Sequence, residues 1–407
     1  RKVSTPSFRG TTAQQTAVIW NGININSQLN GQTDFNTLST RDFNSITVRA
    51  GGGSVIYGSG AVGGTIHLNN DVSFKEKFEN KLQLNYGSFS TFGANYALDV
   101  ATDKISANAS ISHNQSENDY EYIGFDKKNE NGQYKNTSFN SHFGYSINRN
   151  NEIKFYSYLF DGSRNFSGTI ASPSKSNYLD FNTRNLLEWT NYSGLFTSKT
   201  KVAYLTEEYK YFENKALENF STGNANTYIA KYDLLYNWTS KIKVNSIIDY
   251  TQNSGSGSSL STNKRKIGSF SLLFKHQIND KLSYETSIRK ELTSNYKSPL
   301  LYSLGGNIQL SKWYAIKFSG SKNFRIPTFN DLYWQGSGDL HLKPESALQV
   351  ELGQVFTYRK ASLTTTAFYS KITDMLRWLP NASGLWQPIN TDNVSIYGLE
   401  ALFHWSK

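Results

Sequence analysis

From about residue 79 to its end, the chain consists of segments of roughly ten residues in which apolar side chains alternate with small or polar ones. Tyr96 and Leu98, for example, alternate with Asn95 and Asp99. A period of two residues is typical of β-strands with two different faces. We count roughly sixteen such segments, each long enough to cross a bilayer when tilted. A soluble β-sandwich would show the same alternation. The pattern therefore predicts strands but does not show whether they face water or lipid.

The connections between the segments distinguish a membrane barrel from a soluble sandwich, because they alternate between very short and long. Short turns occur near residues 102–104, 239–241 and 279–281. Longer polar connections lie between the short turns, at residues 117–133, 162–176, 213–226, 253–263, 323–344 and 376–393. Transmembrane barrels show this asymmetry, with short periplasmic turns and longer extracellular loops. Four tryptophans near short turns fit an aromatic girdle at the membrane interface: Trp189, Trp238, Trp313 and Trp405. We therefore predict an all-β, antiparallel transmembrane barrel.

Composition argues against several other classes of protein. The chain has no run of about 18 apolar residues, so no transmembrane helix is predicted. It contains no cysteine, which excludes disulfides, thiolate metal sites and thiol catalysis. The formal net charge is +10, but no run of about five basic residues occurs, so nucleic acid is not a predicted partner. The histidines lack zinc-binding spacings such as HExxH, and no enzymatic activity is predicted.

A glycine-rich segment at residues 46–68 precedes these strands and differs from them in character. Gly58 to Gly63 match the GxGxxG dinucleotide fingerprint, which requires a helix immediately afterwards. The residues that follow Gly64 are instead Thr65-Ile66-His67-Leu68, a short run that begins with two β-branched residues. We predict strand, glycine turn and strand, in which the glycines permit tight turns and close backbone packing. This order suggests a small plug placed ahead of a barrel.

Two sets of motifs resemble the TonB-dependent outer-membrane receptor family. The first set comprises residues 18–25, 46–49 and 54–64, the last ending in YGSGAVGG. The second set lies far downstream, with NFRIPTFNDLYW at 323–334, LHLKPE at 340–345 and residues 351–353. The resemblance covers nearly the whole chain and implies a plug inside a barrel of about 22 strands. Residues 1–72 would be the C-terminal half of the plug, and residues 73–407 a barrel incomplete at its C-terminus. The chain would then be truncated at both ends, without the short box that binds the energy-transducing partner.

The resemblance also implies a function. Such receptors import a scarce, large chelate across the outer membrane of a Gram-negative bacterium, in contact with the lipid bilayer and lipopolysaccharide, and use the TonB complex as energy-transducing partner. The motifs look most like those of the cobalamin receptors, which we favour slightly over ferric-siderophore or haem receptors. A passive porin and a soluble glycan-binding β-sandwich are the alternatives from other classes.

Candidate site residues follow from loop position and residue type. Rigid aromatic side chains in the long connections, together with residues of the plug apex, are the predicted ligand contacts: Trp20, Asn24, Asn26, Tyr120, Tyr122, Tyr333, Trp334, Trp378 and Trp386. Tyr333 and Trp334 also belong to the family motif, so a structural role is open for them. We expect Arg49 to contact Asp99 or Glu400 between plug and barrel, or else to serve plug folding alone. No resident cofactor is predicted; Glu117, Asp119 and Asp126 are weak calcium candidates in a connection that a solvated loop explains more simply.

Overall fold

The computed structural model describes residues 3–391 and 393–406, which form two β-sheets of very different size and one separate hairpin. The larger sheet contains sixteen antiparallel strands. They are β5 (Lys77–Gly87), β6 (Thr91–Ala101), β7 (Ile105–Ser116), β8 (Tyr134–Asn148), β9 (Asn151–Asn165), β10 (Asn177–Ser193), β11 (Phe196–Phe212), β12 (Ser221–Asn237), β13 (Ile242–Gly257), β14 (Leu260–Gln277), β15 (Leu282–Leu292), β16 (Leu301–Ser311), β17 (Tyr314–Arg325), β18 (Glu345–Tyr358), β19 (Ala361–Thr373) and β22 (Val394–Trp405). The hairpin of β20 (Met375–Pro380) and β21 (Trp386–Thr391) is inserted between β19 and β22, and α2 (Phe329–Tyr333) lies between β17 and β18. The prediction of an antiparallel sheet of roughly sixteen strands is confirmed.

Each strand of the large sheet pairs with its neighbours in chain order, and β19 pairs with β22 across the inserted hairpin. In the described part of the chain, the edge strands β5 and β22 each pair on one side only. The strands span 11 to 18 residues and are longer than the sequence pattern indicated. No helix in the described residues is long and apolar enough to cross a membrane.

The two faces of the large sheet differ as the alternation predicts. Apolar side chains such as Val202, Ile248 and Leu352 are exposed on the outer face. Trp189, Trp238, Trp313 and Trp405 are also exposed, and all four lie near the short-turn end of the strands. Buried polar side chains, by contrast, occupy the inner face, among them Ser138 and Asn140. An outward apolar surface with an aromatic girdle is the pattern of a membrane-spanning barrel.

One predicted long connection is wrong. The sequence pattern predicts a loop at residues 253–263, but β13 runs to Gly257 and β14 begins at Leu260, so the turn contains two residues. Ser254 pairs with Lys264, and a bulge lies between Gly255 and Gly257. The run of Gly and Ser favours a loop by local preference, yet pairing with both neighbouring strands outweighs that preference. Glycine also serves packing here, because a Cβ at Gly257 would clash with the carbonyl oxygen of Thr222.

The smaller sheet has the order β2-β1-β4-β3, built from β1 (Thr16–Trp20), β2 (Ile23–Asn24), β3 (Ser45–Ala50) and β4 (Gly64–Asn69). Strands β1 and β4 are parallel, and the other pairs are antiparallel. Short 3-10 helices occur at Ala13–Gln15, Phe35–Thr37 and Thr40–Asp42, and the one-turn helix α1 spans Ser54–Tyr57. We call residues 3–72, the described part of the predicted plug, the plug.

The glycine-rich segment forms strand, tight turn and strand as expected, with α1 as the added element. Gly58 and Gly60 have φ of +74° and +85°, a conformation that other residues rarely adopt. Gly64 packs so closely that a Cβ would lie 2.8 Å from the carbonyl oxygen of Arg49. These glycines therefore serve turns and close packing, and the described segment has no long helix to bind a pyrophosphate.

The large sheet wraps around the plug, because plug residues contact inner-face residues of strands along almost its whole width. Asp42 accepts hydrogen bonds from β7 and β8, and Lys201 on β11 donates to the carbonyl oxygen of Asn21. Further round, Ser271 on β14 donates to the carbonyl oxygen of Val55, and Glu400 on β22 contacts Arg9. The plug thus lies in the lumen of the barrel, as the fold prediction required.

Asp42 is a buried charge at this interface. Its carboxylate accepts hydrogen bonds from the hydroxyls of Ser112 (3.0 Å) and Ser138 (2.7 Å). Burial raises the pKa of the Asp42 carboxyl above its ordinary value of 3.8, and these hydrogen bonds offset only part of the effect. The folded plug therefore binds a proton at Asp42 more tightly than the unfolded chain does.

We expect this carboxyl to make plug stability fall as pH rises. Its contribution is greatest below the unfolded-state pKa and is lost as pH rises through the raised pKa of the folded state. The measurement is the urea midpoint of plug unfolding, followed as a function of pH in detergent. Asp42→Asn keeps the size of the side chain and should flatten the profile in that window. Identical slopes for the two proteins would contradict the assignment.

Candidate functional site

The plug presents an uncharged loop towards the long-connection end of the barrel. Residues 21–33, which we call the apex loop, contain no Asp, Glu, Lys, Arg or His. The carbonyl oxygens of Gln28 and Leu29 accept hydrogen bonds from the backbone N–H groups of Phe329 and Asn330, both at 3.0 Å. Because those two residues lie in the long connection between β17 and β18, the apex loop faces the side from which a ligand would arrive.

Two asparagines hold the apex loop in shape. Asn26 accepts a hydrogen bond from the N–H of Val18 and donates to the carbonyl oxygens of Thr16 and Gly31. Asn24 donates to the carbonyl oxygens of Tyr57 and Ser59. Such side-chain bonds to backbone groups satisfy polar atoms around the apex loop, of which only Ile23 and Asn24 lie in a strand. Both residues also line the two cavities described next, so the predicted pair lies at the site and has a structural role in it.

The first apex cavity lies between the apex loop and the inner faces of β9 to β12 and has a volume of about 310 Å³. A stack of aromatic rings borders it, with Tyr178 at 5.5 Å from Phe166 and 5.2 Å from Tyr209 between ring centroids. Arg164 lies beside this stack and forms ion pairs with Asp34 at 2.6 Å and Asp180 at 3.1 Å. The charge of that guanidinium is therefore compensated within the protein.

Arg184 is another buried cation that lines the first apex cavity. Its side chain is 7% exposed and lies over the ring of Tyr158 at 5.1 Å. Among the described atoms, its Nη1 has no hydrogen-bond partner. Buried donors are almost always satisfied, so this one marks a position where a ligand oxygen or a water molecule would bind.

The second apex cavity is smaller, at about 140 Å³, and lies between the apex loop, the end of α1 and the inner faces of β12 to β15. Arg289 forms ion pairs there with Asp249 at 3.0 Å and Glu291 at 2.9 Å. Arg265 donates to the carbonyl oxygen of Pro327 at 2.7 Å and lies over the ring of Phe329. These arginines, too, are occupied by partners within the protein.

A buried carboxylate joins three parts of the structure next to this cavity. Glu345 is 1% exposed and accepts hydrogen bonds from Gln15 of the plug at 2.7 Å, from Arg325 at 3.2 Å and from the N–H of Leu376 at 3.0 Å. Arg325 also donates to the carbonyl oxygen of Leu376. The plug, the end of β17 and the β20–β21 hairpin are thereby fixed to one carboxyl group.

The other predicted ligand residues are spread over separate places. Trp20 does not reach the cavities: it is 0% exposed and packs edge-on against Tyr156, because β1 is a central strand of the plug sheet next to β9. Tyr120 and Tyr122 form an edge-to-face pair in the 117–133 connection, where Tyr122 lines a separate cavity of about 600 Å³. Tyr333 packs in a cluster of leucines and Trp334 terminates α2.

The two tryptophans of the β20–β21 hairpin differ from each other. Trp378 donates from its indole N–H to the carboxylate of Asp331 at 2.8 Å, which fixes the hairpin to α2. Trp386 is 58% exposed and remains available for ligand contact. Ligand binding by these aromatic residues stays a prediction.

The predicted contacts between plug and barrel are made with different partners. Glu400 is held by Arg9 at 2.7 Å, and the same guanidinium contacts Glu351 at 2.9 Å and lies over the ring of Phe368. Asp99 pairs with Lys77 at 2.7 Å on the neighbouring strand. Arg49 lies on β3, the exposed edge strand of the plug sheet, and the ion pairs of both carboxylates in the described chain are made by these other cations.

The three calcium candidates, Glu117, Asp119 and Asp126, do not come together as a metal site. Within residues 3–391 and 393–406, no three His, Cys, Asp or Glu side chains are grouped to hold an ion. Asp119 lies 3.8 Å from the ammonium of Lys128 instead. Calcium binding therefore stays an untested prediction.

Sequence reasoning missed the residues that form the first apex cavity: Asp34, Arg164, Tyr178, Asp180, Arg184 and Tyr209. The sequence of β10 contained a usable signal. Tyr178, Asp180 and Arg184 fall on one face of the strand, and Phe181 and Leu187 fall on the opposite face. Charged side chains on the polar face of a barrel strand point into the lumen. The position of Arg184 beside the apex loop, however, depends on distances that no local pattern encodes.

Comparison with known proteins identifies relatives over nearly the whole chain. The sequence model described as TonB dependent receptor-like, beta-barrel, matches residues 21–406. The Vitamin B12 transporter BtuB of Photobacterium profundum is 23% identical over 416 residues, which cover 96% of this chain and 65% of the relative. The protein of the same name from Vibrio vulnificus is 23% identical over 420 residues, covering 99% and 66%. The chain thus spans slightly less than two thirds of the length of these relatives.

Solved structures show the same fold at lower identity. The siderophore receptor PirA from Acinetobacter baumannii superposes with a TM-score of 0.82 at 15% identity, covering 98% of this chain and 71% of that one. A copper transporter, OprC, superposes with a TM-score of 0.81 at 14% identity, covering 98% and 70%. These likenesses establish the architecture of plug and barrel.

Proposed function

Because this chain belongs to the TonB-dependent receptor family, we propose that it functions in active import across the outer membrane of a Gram-negative bacterium. A chelate would bind at the apex cavities from outside, and the TonB complex would act on the plug to release it into the periplasm. The outer face of the barrel would contact lipid and lipopolysaccharide. In this function the side chains bind and orient a ligand, and they break no covalent bond.

The ligand assignment rests on the absence of charged residues from the apex loop. Residues 21–33 offer amide and hydroxyl groups, and Arg164 and Arg289 are each compensated by two carboxylates. Arg184 supplies one free donor, whereas an anionic ferric chelate would need several uncompensated basic side chains at its site. A neutral ligand with many amide groups finds matching donors and acceptors here. Cobalamin, whose corrin ring carries such amides, is therefore the ligand we favour, and the BtuB relatives agree with it.

A ferric siderophore or haem is the second candidate, and one observation favours it. The stacked rings of Phe166, Tyr178 and Tyr209 line the first apex cavity, and aromatic rings suit a planar or catechol-bearing ligand. A passive porin is less consistent with the structure, because the plug contacts the inner face of the barrel from β7 to β22.

Equilibrium binding tests the ligand assignment. We expect labelled cyanocobalamin to bind the detergent-purified protein saturably, with a Kd in the nanomolar range and a free energy of about −12 kcal/mol. Haemin and a ferric catecholate should compete weakly. Competition by either of them with no saturable cyanocobalamin binding would transfer the assignment to the second candidate, and steady conductance in planar bilayers would indicate a porin.

The substitution Arg184→Met tests whether the ligand binds in the first apex cavity. Loss of the free donor is expected to weaken cyanocobalamin binding about tenfold or more, since a hydrogen bond from a charged group contributes roughly 1.5–3 kcal/mol. Arg377→Met removes an exposed arginine of the β20–β21 hairpin and serves as the matched control. Equal affinities for the two variants would exclude Arg184 from the ligand site.

A further inference from the structure

Two charged side chains of the first apex cavity are not used in ion pairs. Charged residues at this cavity include Arg164, whose guanidinium is paired with Asp34 and Asp180. Arg184 on β10 and Glu207 on β11 also line it, and neither forms an ion pair within the described chain. The cavity therefore contains a cation and an anion that do not neutralise each other by direct contact.

The register of the sheet places Arg184 and Glu207 on diagonal positions of the inner face. Arg184 is paired with Leu205, and Glu207 is paired with Asn182, so the two residues are one inward position apart on neighbouring strands. Diagonal neighbours of this kind are about 7–8 Å apart, which is within reach of long side chains. The two charges are thus close to each other, but each side chain is held by a different partner.

Arg184 is oriented by an aromatic ring. Its guanidinium lies over the ring of Tyr158 at 5.1 Å, and Tyr158 is the fully buried residue paired with it on β9. Stacking on an aromatic face holds the planar guanidinium in position. The side chain donates none of the hydrogen bonds found in the described chain, and its Nη1 is buried without a partner. The arginine therefore offers unused donors from a fixed position.

Glu207 is oriented by the apex loop. Its Oε1 accepts a hydrogen bond from the hydroxyl of Ser27 at 2.7 Å. The Ser27 oxygen itself accepts the N–H groups of Leu29 and Asn30, so its own proton is directed to the carboxylate. The second carboxylate oxygen, Oε2, accepts no hydrogen bond from another described residue. Glu207 therefore offers an acceptor beside the unused donors of Arg184.

A ligand group that fits both side chains needs a donor and an acceptor and no net charge. A carboxylate would lie against the like charge of Glu207, and an ammonium group would lie against that of Arg184. A primary amide presents an oxygen to the guanidinium and an N–H to the carboxylate, on two separate atoms that suit two side chains at diagonal positions. A lone hydroxyl offers both functions through one oxygen, which both side chains would have to reach together.

We propose that Arg184 and Glu207, which we call the amide pair, bind one primary amide of the imported ligand. Arg184 donates to the carbonyl oxygen of that amide, and Glu207 accepts from its nitrogen. The inference rests on the proposed import function and deepens it, because it names two residues that select amide over acid side chains of the same ligand. Neither charge is neutralised inside the protein, since each is balanced by the other across the bound amide.

Acid derivatives of cyanocobalamin test the amide pair. Mild hydrolysis converts one peripheral amide of the corrin ring into a carboxylate and yields isomeric monocarboxylic acids. Each isomer is purified, and its binding to the full-length receptor in detergent is compared with that of cyanocobalamin. We expect one isomer to bind about tenfold or more weakly, because its carboxylate repels Glu207 and leaves that acceptor unpaired.

Two variants should shift this ratio of affinities in opposite directions. Glu207→Gln keeps the size of the side chain and an acceptor for Ser27 but removes the charge, so the affected acid should regain about tenfold relative to cyanocobalamin. Arg184→Met leaves Glu207 without the cation, so the same acid should lose a further factor of about ten relative to cyanocobalamin. A residue that only stabilises the fold would change the affinities for amide and acid alike.

Glu208→Gln is the matched control, because Glu208 is the next residue on β11 and is exposed on the outer face. It should leave the affinities for cyanocobalamin and its acids unchanged. Heat-modifiable migration on gels reports whether each barrel is folded, and Arg184→Gln replaces Arg184→Met if the methionine prevents folding.

The outcomes separate the amide pair from the import function. If the unmodified receptor binds no cyanocobalamin, the ligand assignment fails and the amide pair is overturned with it. If the receptor binds cyanocobalamin and every acid derivative with the same affinity, the ligand assignment stands and the amide pair alone is overturned. A shift of the ratio in the same direction by Glu207→Gln and Arg184→Met would also overturn the amide pair alone.

Discussion

Replacing Arg325 with leucine is expected to lower the free energy of unfolding by about 3–5 kcal/mol, because it leaves the carboxylate of Glu345 buried without its cationic partner. Glu345 is 1% exposed, and the Arg325 guanidinium lies 3.1 Å from it. Its remaining partners, Gln15 and the N–H of Leu376, are neutral. The measurement is denaturant-induced unfolding in detergent, with protease sensitivity of the plug and of the β20–β21 hairpin as local readouts.

The double variant Arg325→Leu with Glu345→Leu is the control for this prediction. Replacing both members of a buried pair by apolar residues removes the unpaired charge, so most of the lost stability should return. Arg377→Leu, at an exposed arginine, should change the free energy of unfolding by about 0.5 kcal/mol or less. If the double variant is as unstable as the single one, the loss comes from packing and not from the orphaned carboxylate.

Truncating Trp20 to alanine should have the other large effect, a loss of about 3–5 kcal/mol in the stability of the plug within the barrel. Trp20 is 0% exposed and packs edge-on against Tyr156 in the apolar cluster between the plug and the inner face of β9 and β10. Removal of the indole would leave a cavity that the surrounding sheets cannot close. The measurement is the denaturant midpoint at which the plug becomes sensitive to protease.

Trp386→Ala is the matched control, since that tryptophan is 58% exposed on the hairpin. It should leave plug stability within about 0.5 kcal/mol. A similar loss from both substitutions would show that the measurement does not report packing between plug and barrel. Ligand affinity should respond in the opposite order if Trp386 contacts the ligand as predicted.

The barrel could be predicted from sequence because its determinants are local and repeated. The alternation in segments such as Asn95 to Asp99 fixes which side chains face outward, and turn residues fix where strands end. The error at residues 253–263 has the same origin: Gly and Ser have weak strand preference by themselves, and pairing with β12 and β14 overrides it. Strand length, therefore, was the part that local patterns determined least.

The site could be predicted only in part, because it depends on contacts between residues far apart in the chain. Arg9 and Glu400 are separated by almost the whole sequence, and Arg164 reaches Asp34 across the interface of plug and barrel. The alternation along a strand shows that an arginine faces the lumen. Its ion-pair partner, however, depends on the position of the plug in the barrel. The sequence analysis predicted that Arg49 contacts Asp99 or Glu400. Arg49 instead lies on β3, an edge strand of the plug sheet, and Arg9 forms the ion pair with Glu400.

The plug is held in the barrel both by ion pairs and by apolar contacts, and salt affects these two kinds of contact differently. Ion pairs such as Arg9 with the 48%-exposed Glu400 weaken as ionic strength rises, since the Debye length falls from about 10 Å at 0.1 M to about 3 Å at 1 M salt. Contacts between apolar side chains such as Trp20 and Tyr156 are not screened, and salts excluded from protein surfaces strengthen them. Raising the salt concentration therefore shifts the attachment of the plug from ion pairs towards apolar packing.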